Sequence, residues 1–291
     1  MRSFSVSAQA SSVIDFEVPS AVRAAIEFLK PSAINNRAYI YAYEPGDHEP
    51  PPTATFAAHR IGIRNVRTEP KQLSLDEHGA TLIEHRSRVQ DFYDDEELTA
   101  VYYPEAATAI KATTGADRVV VFDHNVRRGL SLTLRTDGYR QGRPVLHAHT
   151  DFTETSAVRR LRDRLGSEAA DLQRHRVLQV NLWRPIRGPL RDFPLAICDA
   201  SSIDRQQLVA VDLLYPGRRG EIYYLGYDPK QRWYYAPDMQ VHEAWLIKNY
   251  DSAVNGIARF AAHSAFAEPS RGVRVIPRES IEVRAFALFD V

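Results

Sequence analysis

Apolar and polar residues alternate in many short runs along this chain, and proline and glycine separate the runs. The clearest of them in the second half are PLAICDA, LVAVDLLY, GEIYYLGY, RWYYAP, EAWLIKNYD and SIEVRAFALF. A period of two predicts β-strands that bury one face. Because the second half lacks the helices that parallel crossovers need, the pattern predicts an antiparallel sandwich or jelly roll, mainly β, with flanking helices.

The first half adds strands and one helical region. AYIYAY, AAHRIGIRNV and RVVVFDHNVRR have the strand pattern, and SLTLRTDGYRQGRP is typical of a strand followed by a turn-rich loop. Residues 75–115 carry the most helical character, since the acidic run DDEEL suits a helix start, Pro104 a first turn and Gly115 a stop. The region 75–115 is therefore expected to contain helix.

Composition narrows the class of partner. Lys plus Arg and Asp plus Glu number 37 each, so no net field attracts nucleic acid or an anionic membrane surface. No run approaches the roughly 20 apolar residues of a membrane span. The single Cys198 excludes a disulfide framework, and the first residues lack the apolar run of a signal peptide. A soluble cytoplasmic protein with a small-molecule partner is expected, and its oligomeric state stays open.

The length of 291 residues suits a single elaborated jelly roll. We expect one domain over 1–291. Within it, residues 1–95 are expected to supply N-terminal strands and a candidate lid, and residues 100–291 the jelly-roll core that carries the site.

The stretch RPVLHAHTD concentrates metal-binding side chains. If it is a strand, His147, His149 and Asp151 lie on one face. A binuclear metallo-hydrolase would need H-x-H-x-D-H, but Phe152 stands where its last histidine should be. The two-His-one-carboxylate site of non-haem iron enzymes needs one H-x-D pair. His149 and Asp151, roughly 6.6 Å apart along a strand, suit it better than His147, which is twice as far from Asp151.

The segment after the pair predicts a helix, not further chemistry. TETSAVRRLRDRLG offers Thr153 or Thr155 as N-cap and Gly166 as the stop. A second helix is expected from Ser167 to about Arg174. The hydroxyl groups of this segment are therefore expected to cap backbone amides.

A facial triad needs a second histidine from a distant strand. His175 lies at a predicted helix end, and His242 lies in a polar turn before a strand. His263, in ARFAAHSAFAEP, is the best third ligand because a cationic strand that could hold a carboxylate follows it.

That cationic strand offers three candidates for binding a cosubstrate. Arg278 and Ser280 form an R-x-S pair whose guanidinium and hydroxyl groups can share one carboxylate from the same strand face. Arg284 lies on the same face of the predicted strand, so it is an alternative candidate for binding the cosubstrate carboxylate. Arg271 and Arg274 are expected to be loop cations.

The run VLQVNLWRP supplies candidates for the cavity wall. Its Asn181 and Trp183 share one face, where Asn181 could hydrogen-bond a cosubstrate and Trp183 could line the substrate pocket. A core position for Trp183 and a backbone partner for Asn181 are equally open. His147 is a neighbour of the pocket or a core histidine.

Several motifs in order carry a family resemblance: RPVLHAHTD, VNLWRPI with PLAICDA, RWYYAPDM with EAWLIKNYDS, then AHSAFAEP and PRESIEVRAF. From about residue 100 onward the chain resembles the family that includes the cephamycin methoxylation hydroxylase component and fungal meroterpenoid oxygenases. The resemblance implies a cupin-like double-stranded β-helix that uses Fe(II), 2-oxoglutarate and O2. It places the iron ligands on His149, Asp151 and His263.

The function implied is an Fe(II)/2-oxoglutarate-dependent dioxygenase that acts on a small secondary metabolite. Hydroxylation, desaturation, cyclisation and peroxidation all fit, since these outcomes differ by small changes in substrate placement. The rival from another class is a jelly-roll binding protein whose histidines are structural and whose aromatic strands bind a sugar or a protein partner.

Overall fold

The computed structural model describes residues 19–31, 37–128, 144–269 and 275–290. Within these ranges fourteen strands form two sheets, and the helices lie outside them. The expected mainly β architecture with flanking helices is confirmed. The strand predicted in SLTLRTDGYRQGRP lies outside the described residues, apart from its last proline.

The larger sheet has nine strands, and most neighbours pair antiparallel. In spatial order the strands are β1 (Ala21–Leu29), β3 (Phe56–Asn65), β11 (Trp233–Tyr235), β8 (Leu195–Cys198), β13 (His263–Ala265), β6 (His149–Thr150), β10 (Arg218–Leu225), β9 (Leu208–Tyr215) and β2 (Tyr39–Tyr41). Two contacts, β11 with β3 and β2 with β9, are parallel.

The smaller sheet has five antiparallel strands. They are, in spatial order, β4 (Ala80–Glu84), β12 (Glu243–Asp251), β7 (Val177–Pro185), β14 (Glu279–Leu288) and β5 (Arg118–Arg128). Strands from the first 95 residues thus belong to both sheets. The N-terminal lid stays a prediction.

Strand β7 shows how the sequence pattern places the core. Its even-numbered apolar residues, such as Leu182, pack on the outer side of the sheet with Ile110 of the helix α2 (Tyr103–Thr114). Its odd-numbered residues face the larger sheet, where Trp183 packs with Ile197. The face predicted to be polar and aromatic therefore points between the two sheets, towards the candidate site.

The remaining α-helices are α1 (Asp95–Glu97), α3 (Glu154–Leu165) and α4 (Ala169–Leu172). Helix α2 ends at Gly115, whose φ of 71° is a left-handed conformation that glycine adopts without strain. Of the two N-caps predicted for α3, the structure selects Thr153, which exchanges hydrogen bonds with Ser156.

Along the described residues, no helix is both long and apolar enough to cross a lipid bilayer.

Two elements differ from the expectations. The region predicted to be helical contains strand β4, because its short apolar run ATLIE pairs with β12 and tertiary pairing outweighs local propensity. Strand β13 was not predicted, since three residues are too short for a recognisable alternation. Its first residue is His263, so this short strand decides where that side chain lies.

A cluster of charged side chains links the loop before β4 to the smaller sheet. The fully buried Lys248 donates hydrogen bonds to Asp251 (2.8 Å) and to Asp76 (2.9 Å). Arg176 also donates two hydrogen bonds to the Asp251 carboxylate. Because a buried charge without a partner is costly, the cluster should contribute to stability mainly by keeping Lys248 paired.

Asp251→Ala is expected to lower the free energy of unfolding by about 3–5 kcal/mol, because the buried Lys248 ammonium keeps only the exposed carboxylate of Asp76. Urea unfolding followed by circular dichroism measures the change. The matched control is Asp171→Ala, which breaks an exposed pair with Arg174 and should cost less than about 1 kcal/mol. If both variants lost the same free energy of unfolding, burial of the ion cluster would make no contribution to stability.

Candidate metal centre

Strand pairing brings two distant histidines together. His263 of β13 lies directly opposite His149 of β6, and their ring centroids are 4.6 Å apart. Asp151 follows β6, and its Oδ1 atom lies 3.5 Å from His149 Nε2 and 3.9 Å from His263 Nε2. One ligand atom from each residue lies within 4.8 Å of the others. Two nitrogens and one oxygen therefore converge on one point.

Hydrogen bonds fix which ring nitrogen faces that point. The Nδ1 atom of His149 lies 2.8 Å from the His147 carbonyl, and that of His263 lies 3.3 Å from the Ala261 carbonyl. Because a carbonyl can only accept, Nδ1 carries the proton in a neutral ring and Nε2 keeps its lone pair. Burial, helped by His149, lowers the pKa of His263 to about 4. The His263 ring is therefore neutral and able to bind a metal at pH 7.

The carboxylate of Asp151 is held by one of its oxygens. Its Oδ2 atom accepts hydrogen bonds from Asn181 Nδ2 (2.9 Å) and Arg284 Nε (2.8 Å), which leaves Oδ1 towards the histidines. Its backbone N–H donates to Asn249 Oδ1 (2.9 Å). Burial opposes the charge, but the nearby guanidinium of Arg284 outweighs it and holds the pKa of Asp151 well below its usual range. Asp151 is thus an anion with one free ligand oxygen.

Arg284 is engaged with acidic groups. Besides Asp151 it donates to Glu282 (2.8 Å), and its Nη1 lies 3.4 Å from an Asp123 oxygen. Burial, followed by the nearby Asp151 charge, raises the pKa of the Glu282 carboxyl. The sequence suggested Arg284 as a competing cosubstrate cation, and that role stays a prediction; in the structure its guanidinium donates to the candidate metal ligand Asp151.

Arg278 is a buried cation of a different kind. Its Nε donates to Ser280 Oγ (2.9 Å) and its Nη1 to the Phe193 carbonyl (2.7 Å), while the guanidinium lies 4.9 Å from the centre of the Trp183 ring. Among the described residues, no carboxylate lies within ion-pair distance of it. Burial, followed by Arg127, lowers the pKa of Arg278 to about 9. Arg271 and Arg274 lie outside the described residues.

His147 lies outside the ligand group. Its Nε2 is 2.7 Å from Glu27 Oε2, and its ring stacks on Phe56 with centroids 3.8 Å apart. Phe152, at the position where a binuclear hydrolase has a histidine, is buried in the hydrophobic core. Within the described part of the chain, one three-residue group could hold a metal ion, so the geometry favours a mononuclear site.

The donor set fits ferrous iron. Two neutral imidazoles and one carboxylate on one side of an ion are the facial triad of non-haem iron oxygenases, and they leave the other coordination positions open. Asn181 supplies a second indication, because its Oδ1 is completely buried and has no hydrogen-bond partner among the described residues. An unpaired buried acceptor beside the ligand group indicates a polar occupant of the site.

Sequence reasoning missed several residues of this site. Asp123 and Glu282 lie on strands whose alternation was recognised, so the motifs D-x-N-x-R in β5 and S-x-E-x-R in β14 could have marked a polar inner face. Tyr224 of β10 lies opposite His149 in register and could have been found only from the strand pairing. Asn249 lies at an irregularity of β12, where no sequence pattern indicates its direction.

Known proteins are similar to this chain over most of its length. A family model described as YDMC, oxidoreductase/YMDC permease-like domain, matches residues 26–288. The alpha-ketoglutarate-dependent dioxygenase phiK of a fungal species is 32% identical over 265 residues, 87% of this chain and 95% of that protein. The hydroxylase/desaturase efuI of Hormonema carpetanum is 30% identical over 251 residues, 79% of this chain and 83% of that protein.

A solved structure agrees with these relatives. The iron and alpha-ketoglutarate-dependent endoperoxidase NvfI superposes with a TM-score of 0.85 at 26% identity, covering 94% of this chain and 99% of the other. The likeness confirms the expected jelly roll and the family resemblance, and it decides against a non-catalytic binding protein. The chain belongs to the family of Fe(II)- and 2-oxoglutarate-dependent dioxygenases.

Proposed function

We propose that this protein oxidises a small organic molecule, a secondary metabolite, with iron bound by His149, Asp151 and His263. The observation that carries the proposal is the convergence of two imidazole Nε2 atoms and one carboxylate oxygen on a single point. When bound, Fe(II) with 2-oxoglutarate and O2 supplies the oxidising chemistry, and the protein supplies orientation and a shielded pocket.

The residues around the ligands have distinct tasks in this proposal. Asn181 and Arg284 hold Oδ2 of Asp151, so that Oδ1 alone faces the metal position. The carbonyls of His147 and Ala261 fix the two imidazole rings. Hydrogen-bond partners of this kind orient metal ligands and typically change metal affinity by about 10–100-fold.

Arg278 and Ser280 bind the remote carboxylate of 2-oxoglutarate in this proposal. The buried guanidinium of Arg278 has no ion-pair partner among the described residues, and Ser280 Oγ lies beside it. A dicarboxylate would neutralise this buried cation through charge-assisted hydrogen bonds. Trp183, which lies under Arg278, then belongs to the wall of the cosubstrate site, while a role for His147 in the substrate pocket stays a prediction.

The named relatives favour a range of outcomes. One is a hydroxylase/desaturase and another an endoperoxidase. A common ligand set with different outcomes is expected when the substrate position, not the metal site, selects the product.

Anaerobic addition of Fe(II) and 2-oxoglutarate tests the function. We expect a visible metal-to-ligand charge-transfer band, followed by succinate when air is admitted. Zn(II) in place of Fe(II) is the control and should give neither signal, because it has no accessible oxidation step. A chain that gives no band with Fe(II) and no succinate after exposure to air contradicts the proposal.

A further inference from the structure

Around Arg160, the described residues supply three further arginines and one carboxylate. Arg160 and Arg164 belong to helix α3, which begins three residues after Asp151, and Arg218 begins strand β10. The groups that act electrostatically on Arg160 are Asp123, Arg164, Arg284 and Arg218. The one carboxylate in this set, Asp123, lies 3.8 Å from Arg164 and 3.4 Å from Arg284, so it is already shared.

Arg160 differs from an ordinary surface arginine. Its side chain is half-buried, and it makes no hydrogen bond or ion pair with the described residues. Burial lowers the pKa of its guanidinium, and three neighbouring arginines lower it further against Asp123. A partly desolvated cation among cations costs free energy, which a bound anion would recover.

Arg162, on the same helix, provides the comparison. It is exposed, and its nearest described partner is Gln173 Oε1 at 3.4 Å. A solvated position of this kind is the usual one for a helix arginine. The surroundings of Arg160 are therefore not shared by every arginine of α3, and they include Arg284, which contacts Asp151.

An aromatic wall connects the ligands with these arginines. Tyr224 lies opposite His149 in register, with ring centroids 6.2 Å apart, and it is buried. Its hydroxyl makes no hydrogen bond with the described residues, and both Tyr215 and Asp151 act electrostatically on it. Arg218 lies 3.5 Å from the centre of the Tyr215 ring. One of these tyrosines thus lies beside a proposed metal ligand, and the other beside an arginine of the cluster.

We propose that the substrate of this oxygenase is an organic anion with an apolar or aromatic body. Its anionic group, a carboxylate or a phosphate monoester, pairs with Arg160, and its body lies along Tyr215 and Tyr224 towards the metal ligands. The inference rests on the proposed function, since it concerns the substrate of the same site. It leaves 2-oxoglutarate to Arg278, whose neighbours are Ser280 and Trp183.

Calorimetric titration of the full chain, loaded anaerobically with Fe(II) and 2-oxoglutarate, tests the inference. The probes are 4-phenylbutanoate, its neutral amide 4-phenylbutanamide, and 2-phenylethyl phosphate. At least one of the two anions should bind tenfold or more tightly than the amide, because a hydrogen bond to a charged group contributes about 10- to 100-fold. The tighter of the two anions identifies the group that the site takes.

Two variants locate the effect. Arg160→Gln should weaken the tighter anion at least about tenfold and leave the amide unchanged, since only the charge pairing is lost. Arg162→Gln removes the same charge from the same helix and should change neither probe.

Three outcomes overturn the inference: anions that bind no better than the amide, no binding of either anion, or an Arg160→Gln variant that loses affinity for 2-oxoglutarate alone. The charge-transfer band, recorded on each sample, reports separately on the metal site. If the charge-transfer band forms but the anions bind no better than the amide, only the inference of an anionic substrate is rejected. A missing band in the unsubstituted protein rejects the oxygenase itself.

Discussion

Asp151→Ala is expected to lower the affinity for Fe(II) by about 1,000-fold or more and to abolish succinate formation. The reason is that the variant loses the single anionic ligand, whereas loss of a mere hydrogen-bond partner of a ligand already costs about 10–100-fold. His263→Ala should have an effect of the same kind, since it removes one of the two neutral nitrogens. Competition with a chromophoric chelator measures the iron affinity.

His147→Ala is the matched control, because it removes a histidine two and four positions from the proposed ligands. Its imidazole contacts Glu27 and Phe56, and its contribution to His149 comes from the backbone carbonyl, which alanine keeps. Iron affinity should therefore stay within about threefold of the unsubstituted protein, well below the effect of losing a ligand partner. Loss of iron in His147→Ala together with retention in Asp151→Ala would reverse the ligand assignment.

Arg278→Met should raise the concentration of 2-oxoglutarate needed for half-saturation by about 100-fold, because it removes the charge-assisted hydrogen bonds to the remote carboxylate. Methionine fills much of the buried volume, and thermal unfolding confirms that the variant is folded. Titration of the charge-transfer band with 2-oxoglutarate measures the affinity directly. Ser280→Ala, which keeps the cation, should have a smaller effect of about tenfold.

The comparison for this variant is Arg187→Met. Arg187 is an exposed arginine whose Nη1 lies 3.2 Å from Glu279, so its loss should leave the cosubstrate affinity unchanged. If Arg278→Met binds 2-oxoglutarate normally, another cation holds the remote carboxylate.

The pairing of His149 with Asp151 was accessible from sequence because strand geometry depends only on local spacing. The same is true of the inner face of β7, which carries Asn181 and Trp183. Alternation also located β14, and it placed Arg278, Ser280 and Arg284 at the same parity. Local patterns therefore identify which residues can share a face.

Local patterns do not predict which groups elsewhere in the fold those residues contact. Arg278 and Arg284 have the same parity in sequence, yet one lies over Trp183 and the other on Asp151. The reason is their distance along the chain, since Arg284 lies opposite Asn181 of β7, whereas Arg278 lies before the first residue of β14. His263 could be chosen only by elimination and resemblance, since its three-residue strand has no signature. The contact of Asn249 with the backbone of Asp151 depends on an irregular strand pairing, which the sequence does not encode visibly.

The bonds that hold the three proposed ligands have a consequence for how folding and metal binding are coupled. Each ligand is fixed by groups of the protein: the two imidazoles by backbone carbonyls, and Asp151 by Asn181, Arg284 and Asn249. In small zinc domains, by contrast, the binding free energy of the ion is spent on ordering the chain. Here the folded sheets already hold the ligands in place. Little of the ion's binding free energy is therefore spent on ordering the chain, and it appears as affinity for the metal. We therefore expect the chain to stay folded when iron is removed.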